Sequence, residues 1–362
     1  MRESQTGGDD TGEMTFHPTD LQAELVELVA TIVDKQSGDE RVAALDAEAG
    51  SWDEALYASL AEAGVLGAVI DDGEDGLGMV GLSLCLIETG ARLARIPLAG
   101  SAVTALILAE AGLSDEVEAI AAGTLTAAPA LPSRLHSVAR SGDRLQGSVG
   151  IVPGGAAASH LLIADDTGRL WFAAKETPGL DAKSTGFSYD NDISVSLDIS
   201  IEDCRQLEGL GRDALEGRWR TALSAVAVGA CREAVARTAK YTSEREQFGK
   251  PLSSKQGVLH RAADAHIDTE CMQLTTMNAA SLYDAGNAGA ARAALEAAWW
   301  TATGGSRVVH ATQHLHGGMG ADLDNHIHRF FVLVREIGIV LGAADALLEE
   351  LGRDIVAQAR EE

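Results

Sequence analysis

"ISVSLDIS", residues 193–200, alternates Ile193, Val195, Leu197 and Ile199 with Ser194, Ser196, Asp198 and Ser200. Successive side chains of a strand point to opposite faces, so this period of two marks a strand with one buried and one wet face. Around it, from about 126 to 208, Gly, Ser and Pro punctuate short apolar runs such as "HLLIA" (160–164) and "LWFAA" (170–174). A small, mostly antiparallel β domain is predicted there. On both sides the period is that of a helix. Upstream, "PTDLQAELVELVATIV" (18–33) sets Thr19 and Gln22 three apart as a capping box and puts Leu21, Leu25, Leu28, Val29, Ile32 and Val33 on one face. The pattern continues through "SWDEALYASLAEAGVLG" (51–67), "VGLSLCLIETGARLAR" (80–95) and "AVTALILAEAG" (102–112). After Gly211, helical segments over about 213–243, 253–284, 288–315 and 325–352 predict a bundle of four long helices.

The order of helices, strands and helices contains no βαβ alternation, which argues against a doubly wound nucleotide-binding sheet. The expected fold class is mainly α with a central β domain (α+β). A polar, Gly-rich stretch over 1–16 predicts a disordered tail. An N-terminal helical domain over 17–125, the β domain over 126–208 and the C-terminal bundle over 209–362 complete the predicted organisation.

The 362 residues exceed one ordinary core, and a formal net charge of -26 argues against nucleic acid or an anionic membrane as partner. Cys85, Cys204, Cys231 and Cys271 form no CxxC pair, and no secretory leader is evident, so a reduced, cytoplasmic compartment is expected. No apolar run reaches the roughly 18 to 20 residues that a bilayer span requires.

Two motifs stand out in the helical second half. "REQFGKPLSSKQ" (245–256) reads, taken alone, as a helix end, a Gly-Lys-Pro break and a new helix start. "TQHLHGGMGADLDNHIHRFF" (312–331) runs from a helix carrying Gln313 into Gly317, Gly318 and Gly320. Glycines let another backbone or a phosphate approach closely because no Cβ stands in the way. A glycine turn without a preceding strand gives no support to a Rossmann-type loop.

Together, the helical block, the β domain, the bundle and these two motifs resemble the acyl-CoA dehydrogenase family, flavoenzymes that desaturate acyl thioesters. The resemblance covers nearly the whole chain. It implies that Arg245, Phe248, Gln256, Gln313, Gly317 and Gly318 bind the adenosine pyrophosphate of an FAD held mainly by a neighbouring subunit. The residue types suit that role: a guanidinium offers a fork of donors to pyrophosphate, a Phe an apolar surface, and Gln amides satisfy polar edges.

The same resemblance exposes a gap. Family members remove the α-proton with a glutamate while the β-hydrogen leaves as hydride to flavin N5. Counting from His328 and Arg329 puts one family position for this base on Gly338. Counting back from Tyr241 and Arg245 puts the other on Trp219. Neither residue takes a proton. Glu336 lies about 200° around a helix from position 338 and is expected to face elsewhere. Glu216, three residues before Trp219, is the displaced candidate, against its plainer reading as a solvated glutamate near a helix start. The family's flavin-ring contacts are missing from "ALPSRLHSVARSGD" (130–143) and "VGIVPGG" (149–155), where Gly150 stands in place of a Trp.

His310, His314, His316, His326 and His328 complete no metal pattern, and no metal is expected. Trp299 and Trp300 read as core or interface aromatics. The implied assembly is an α2β2 heterotetramer in which a catalytic acyl-CoA dehydrogenase chain supplies base and flavin-ring contacts. Its implied substrates are acyl-CoA esters, bulky ones such as sterol side chains included, with an electron-transfer flavoprotein or similar acceptor. The alternatives are a self-sufficient homotetramer using Glu216 and a non-catalytic structural homologue that binds no flavin.

Overall fold

The computed structural model describes residues 18–46, 50–70, 76–185 and 192–361, so the predicted tail over 1–16 lies outside the described residues. Among the described residues, seven helices come first: α1 (Asp20–Gln36), α2 (Asp39–Asp46), α3 (Glu54–Glu62), α4 (Val65–Ile70), α5 (Gly78–Ala91), α6 (Leu98–Glu110) and α7 (Ser114–Ala121). The capping box forms: Thr19 N–H donates to Gln22 Oε1 at 2.9 Å, and Gln22 N–H to Thr19 Oγ1 at 3.3 Å. Of the apolar face predicted for α1, Leu25, Val29 and Val33 are buried, whereas Leu21 and Leu28 point outward.

Eight strands come next among the described residues: β1 (Ala127–Ala130), β2 (Val138–Ser141), β3 (Arg144–Val152), β4 (His160–Ala164), β5 (Arg169–Ala174), β6 (Leu180–Ser184), β7 (Ile193–Ser200) and β8 (Arg205–Gly211). They form two four-stranded sheets, ordered β1-β4-β5-β8 and β2-β3-β7-β6. All pairs are antiparallel except β1 with β4. On β7, Ile193, Val195, Leu197 and Ile199 face a core shared with the other sheet, while their polar neighbours remain outside it. The unbroken run in β4 has a different cause. Leu161 and Ile163 face the inter-sheet core, whereas Leu162 and Ala164 join the helical core, so both faces of this inner strand are covered.

The second helical half contains α8 (Arg212–Glu244), α9 (Gln256–Asp284), α10 (Ala290–Trp300), α11 (Ser306–Leu315), α12 (Ile327–Val340) and α13 (Ala344–Glu361). A π-helical turn over Thr301–Gly305 joins α10 to α11 in one continuous rod. The fourth predicted helix is two: the chain turns between α12 and α13 at Gly342 (φ +113°) and Ala343 (φ +61°). Helices α5 and α8 cross at backbone contact. A Cβ on Gly90 would collide with the Val226 carbonyl, and one on Gly229 with the Ile87 carbonyl.

Acidic residues at both ends of α2 lock the first helical layer onto the bundle. Asp39 takes both Nη groups of Arg237 at 2.8 and 2.9 Å, and Asp46 accepts from Arg329 Nε at 2.6 Å while also pairing with Arg95.

Candidate functional site

Helix α8 ends at Arg245, whose N–H donates to the Tyr241 carbonyl at 2.9 Å. Beyond it the chain forms a β-hairpin and not a simple helix break. Strand β9 (Glu246–Gln247) pairs with β10 (Lys250–Pro251), and the Leu252 N–H closes the loop onto the Arg245 carbonyl at 2.9 Å. The two connecting residues, Phe248 and Gly249, both have positive φ, +57° and +74°. That is the signature of a type I′ turn, which glycine adopts freely and a bulky L-residue at a cost of about 1–2 kcal/mol. The fold thus holds Phe248 in a strained conformation while leaving it 92% exposed, with only the Lys255 ammonium over its ring at 4.5 Å. Arg245 is exposed, and its guanidinium makes no ion pair or hydrogen bond among the described residues. Gln256 opens α9 next to the hairpin, also exposed.

The glycine turn adjoins this hairpin end. The Tyr241 ring stacks on His316 at 4.5 Å, and its hydroxyl donates to the His316 carbonyl at 3.4 Å. His316 Nδ1–H donates to the Thr312 carbonyl at 2.8 Å, and burial holds the imidazole below its ordinary pKa. Gln313 folds back to brace the turn, its Nε2 donating to the Gly320 carbonyl at 2.9 Å. Its Oε1 is buried without a hydrogen-bond partner among the described residues. Gly317 (φ +60°) and Gly318 are exposed, with open space where a Cβ would stand. These groups fit the adenosine pyrophosphate of FAD. Arg245 and the bare backbone at 317–318 suit the anion, and the orphan Gln313 oxygen, an acceptor, suits a hydroxyl or amine.

At the other end of α8 lies a cleft of about 500 Å³, walled by residues 129–136, the end of β3, the first turns of α8 and the α12–α13 turn. Trp219 lines it and is nearly buried. Glu216 is neither a free base nor a solvated side chain. Arg212 Nε donates to its Oε2 at 2.8 Å and Arg220 Nη2 to its Oε1 at 2.9 Å. Arg220 also grips Glu350 through two bonds of 2.8 and 3.0 Å. Accepting a proton on Glu216 would break up a closed network of two guanidiniums and two carboxylates.

Gly338 does not face this cleft. A Cβ there would lie 3.5 Å from Ala302 Cα, against the π-helical turn. The last two helices line the cleft with Ile339–Ala343, Ala346, Leu347 and Glu350, and the one carboxylate among these, Glu350, is held by Arg220. Glu336 lies on a smaller neighbouring cavity. Over Gly150, the His136 ring fills the space a larger side chain would need. Sequence reading also missed Arg212, Arg220 and Glu350. The Arg-Glu-Arg spacing of four residues was a usable signal, but Glu350 lies 130 residues from Arg220. No group of three or more His, Cys, Asp or Glu residues that could hold a metal occurs among the described residues. Trp299 and Trp300 pack edge to face at 5.3 Å against the core. None of the described helices is long and apolar enough to cross a membrane.

The helical layers, two-sheet domain and bundle define an acyl-CoA dehydrogenase fold, and the description "Acyl-CoA dehydrogenase, C-terminal domain" matches residues 217–356. The chain belongs to the acyl-CoA dehydrogenase family, whose members bind FAD. Among solved structures it is similar to a chain of the Tcur3481-Tcur3483 steroid ACAD G363A variant, with TM-score 0.86 and 34% identity, covering 94% of this chain and 99% of that one. It is also similar to a chain of the ChsE4-ChsE5 complex from Mycobacterium tuberculosis, with TM-score 0.86 and 27% identity over 95% of this chain and 99% of that one. Acyl-CoA dehydrogenase FadE27 of M. tuberculosis is 28% identical over 375 residues, 94% of this chain and 99% of the relative.

Proposed function

We propose that this chain is the non-catalytic subunit of a hetero-oligomeric, FAD-dependent acyl-CoA dehydrogenase. It completes the adenosine-pyrophosphate half of a partner's FAD site and lacks a base of its own. The observation that carries this reading is the asymmetry along α8: Arg245 is exposed and unpaired among the described residues, whereas both oxygens of Glu216 are held by guanidiniums. When bound, FAD supplies a two-electron acceptor for the β-hydrogen of the acyl thioester. The residues of this chain bind and orient. Arg245 offers its fork to pyrophosphate, Phe248 an apolar face, and Gly317 and Gly318 an unobstructed backbone, while Gln313 keeps that backbone in shape. Gln256, exposed at the start of α9 beside the hairpin, would offer its amide to a polar edge of the same ligand.

The two similar solved chains come from the Tcur3481-Tcur3483 steroid ACAD and the ChsE4-ChsE5 complex, each a pair of chains, which supports an α2β2 assembly and a bulky acyl-CoA substrate such as a sterol side-chain thioester. An electron-transfer flavoprotein or similar acceptor then reoxidises the flavin. The self-sufficient alternative needs Glu216 free. The flavin-free alternative leaves the strained, outward Phe248 without a purpose. The test is co-expression with a neighbouring catalytic dehydrogenase chain. Equal chain ratio and one flavin per chain pair are expected, with little flavin on this chain alone. A yellow, active homotetramer of this chain would overturn the proposal.

A further inference from the structure

The hairpin after α8 carries a charge opposite in sign to that of the chain. From 240 to 261 stand five cations, Lys240, Arg245, Lys250, Lys255 and Arg261, against two carboxylates, Glu244 and Glu246, in a protein of formal net charge -26. None of the five pairs with a carboxylate among the described residues. One of them, Lys255, stands among the residues assigned to the dinucleotide without being one of them. It directly precedes Gln256, and its ammonium lies 4.5 Å from the centre of the Phe248 ring. Backbone bonds join it to Arg245 through Leu252: the Leu252 N–H donates to the Arg245 carbonyl at 2.9 Å, and the Lys255 N–H to the Leu252 carbonyl at 3.0 Å. The Lys255 carbonyl in turn accepts from Val258 and Leu259, each at 3.0 Å, so its backbone is built into the start of α9. Its half-buried side chain is tied only by the ring contact among the described residues.

We infer that Lys255 is a second cation for the pyrophosphate of the dinucleotide, its ammonium resting on the Phe248 ring until the anion arrives. A pyrophosphate diester carries two negative charges, and Arg245 answers one of them. A cation over an exposed aromatic face is held weakly, whereas a charge-assisted bond to a phosphate oxygen is among the stronger polar contacts. Exchanging the first for the second is therefore favourable, and it bares a ring face for a flat base. Lysine suits this exchange because its point charge sits on a flexible four-carbon stem and can turn while the backbone stays in place. Lys240, Lys250 and Arg261 add to the field that draws an anion to the hairpin, but no ring contact or hydrogen bond joins their side chains to an assigned residue among the described ones.

This inference rests on the proposed reading that FAD reaches the hairpin, and Arg245→Ala tests that reading by itself. The measurement is flavin retained by the complex with its partner chain after gel filtration, at low and at high salt. Lys255→Met keeps the length of the side chain and removes its charge. It is expected to weaken retention roughly 10-fold at low salt and to make the salt dependence shallower, with unchanged melting temperature. Lys255→Arg should restore both, and Lys250→Met, the control on the same hairpin, should stay within about twofold of the parent. The inference is overturned if Lys255→Met retains flavin as well as the parent or better, or if Lys250→Met weakens it equally. Loss of flavin from Arg245→Ala but not from Lys255→Met would sink this inference and leave the reading standing. Loss from neither would sink both.

Discussion

The two ends of α8 carry polar groups of the same kinds, an arginine with neighbours at one and an arginine–glutamate cluster at the other, but in opposite states. At the hairpin end, Phe248 is turned outward, and among the described residues Arg245 is exposed and unpaired and the Gln313 oxygen has no donor. In the cleft, Arg212, Glu216, Arg220 and Glu350 satisfy one another. Groups that have already found partners inside the chain stabilise it. Groups held ready at a cost to the chain are waiting for something outside it. Residue type alone does not separate the two cases, and geometry does.

The strongest challenge to this contrast is Arg245→Ala. Removing a charged donor to pyrophosphate should weaken flavin retention in the complex by about 2–3 kcal/mol, roughly 30- to 150-fold, with little change in thermal stability. Retained flavin measured after gel filtration checks it, and unchanged retention would mean that the exposed guanidinium serves no dinucleotide. The mirror experiment is Glu216→Gln. It removes a charge from a closed network, so stability should fall by about 1 kcal/mol while turnover in the complex stays intact. Lost turnover with flavin still bound would make Glu216 the base.

Phe248→Gly separates the two roles at one position. Glycine accepts positive φ, so the chain should melt slightly higher, by about 1 kcal/mol of relieved strain, while flavin binding weakens. A variant that loses stability would show that the ring packs within its own chain. The smallest effect concerns pH. Burial holds His316 below its ordinary value of 6.5, so it is neutral in the folded protein near pH 7. The stability tied to that neutral ring is present above 6.5 and is lost as pH falls from there through the folded value. Because His316 stacks on Tyr241 between the two motifs, flavin release should rise over the same acid window, and His316→Gln should flatten the profile.

Much of the fold was readable because burial imposes a period. One wet face made "ISVSLDIS" legible, and two covered faces made "HLLIA" a continuous run. The hairpin was not legible: its strands are two residues long, and its turn puts Phe where Asn or Gly would announce positive φ. The α12–α13 break hid behind a single glycine within a run that keeps helical periodicity on both sides. Gly338, the counted base position, lies within α12 and faces Ala302, which no count along the sequence could show. The motif residues themselves were visible as a pattern, but their readiness or engagement depends on partners far away in the sequence.

The lock between α2 and α12 bears on how the molecule is made. Arg329 meets Asp46 across 283 residues of chain. At 5–20 residues per second, a ribosome needs roughly 15 to 60 s to deliver the second partner after the first. Through that interval the earliest helices are outside the exit tunnel without the arginines that anchor them, their bundle-facing side open to water and to chaperones. The first layer synthesised is therefore fastened by one of the last helices to appear, and a nascent chain halted before residue 329 should keep that layer protease-sensitive while the two-sheet domain already resists digestion.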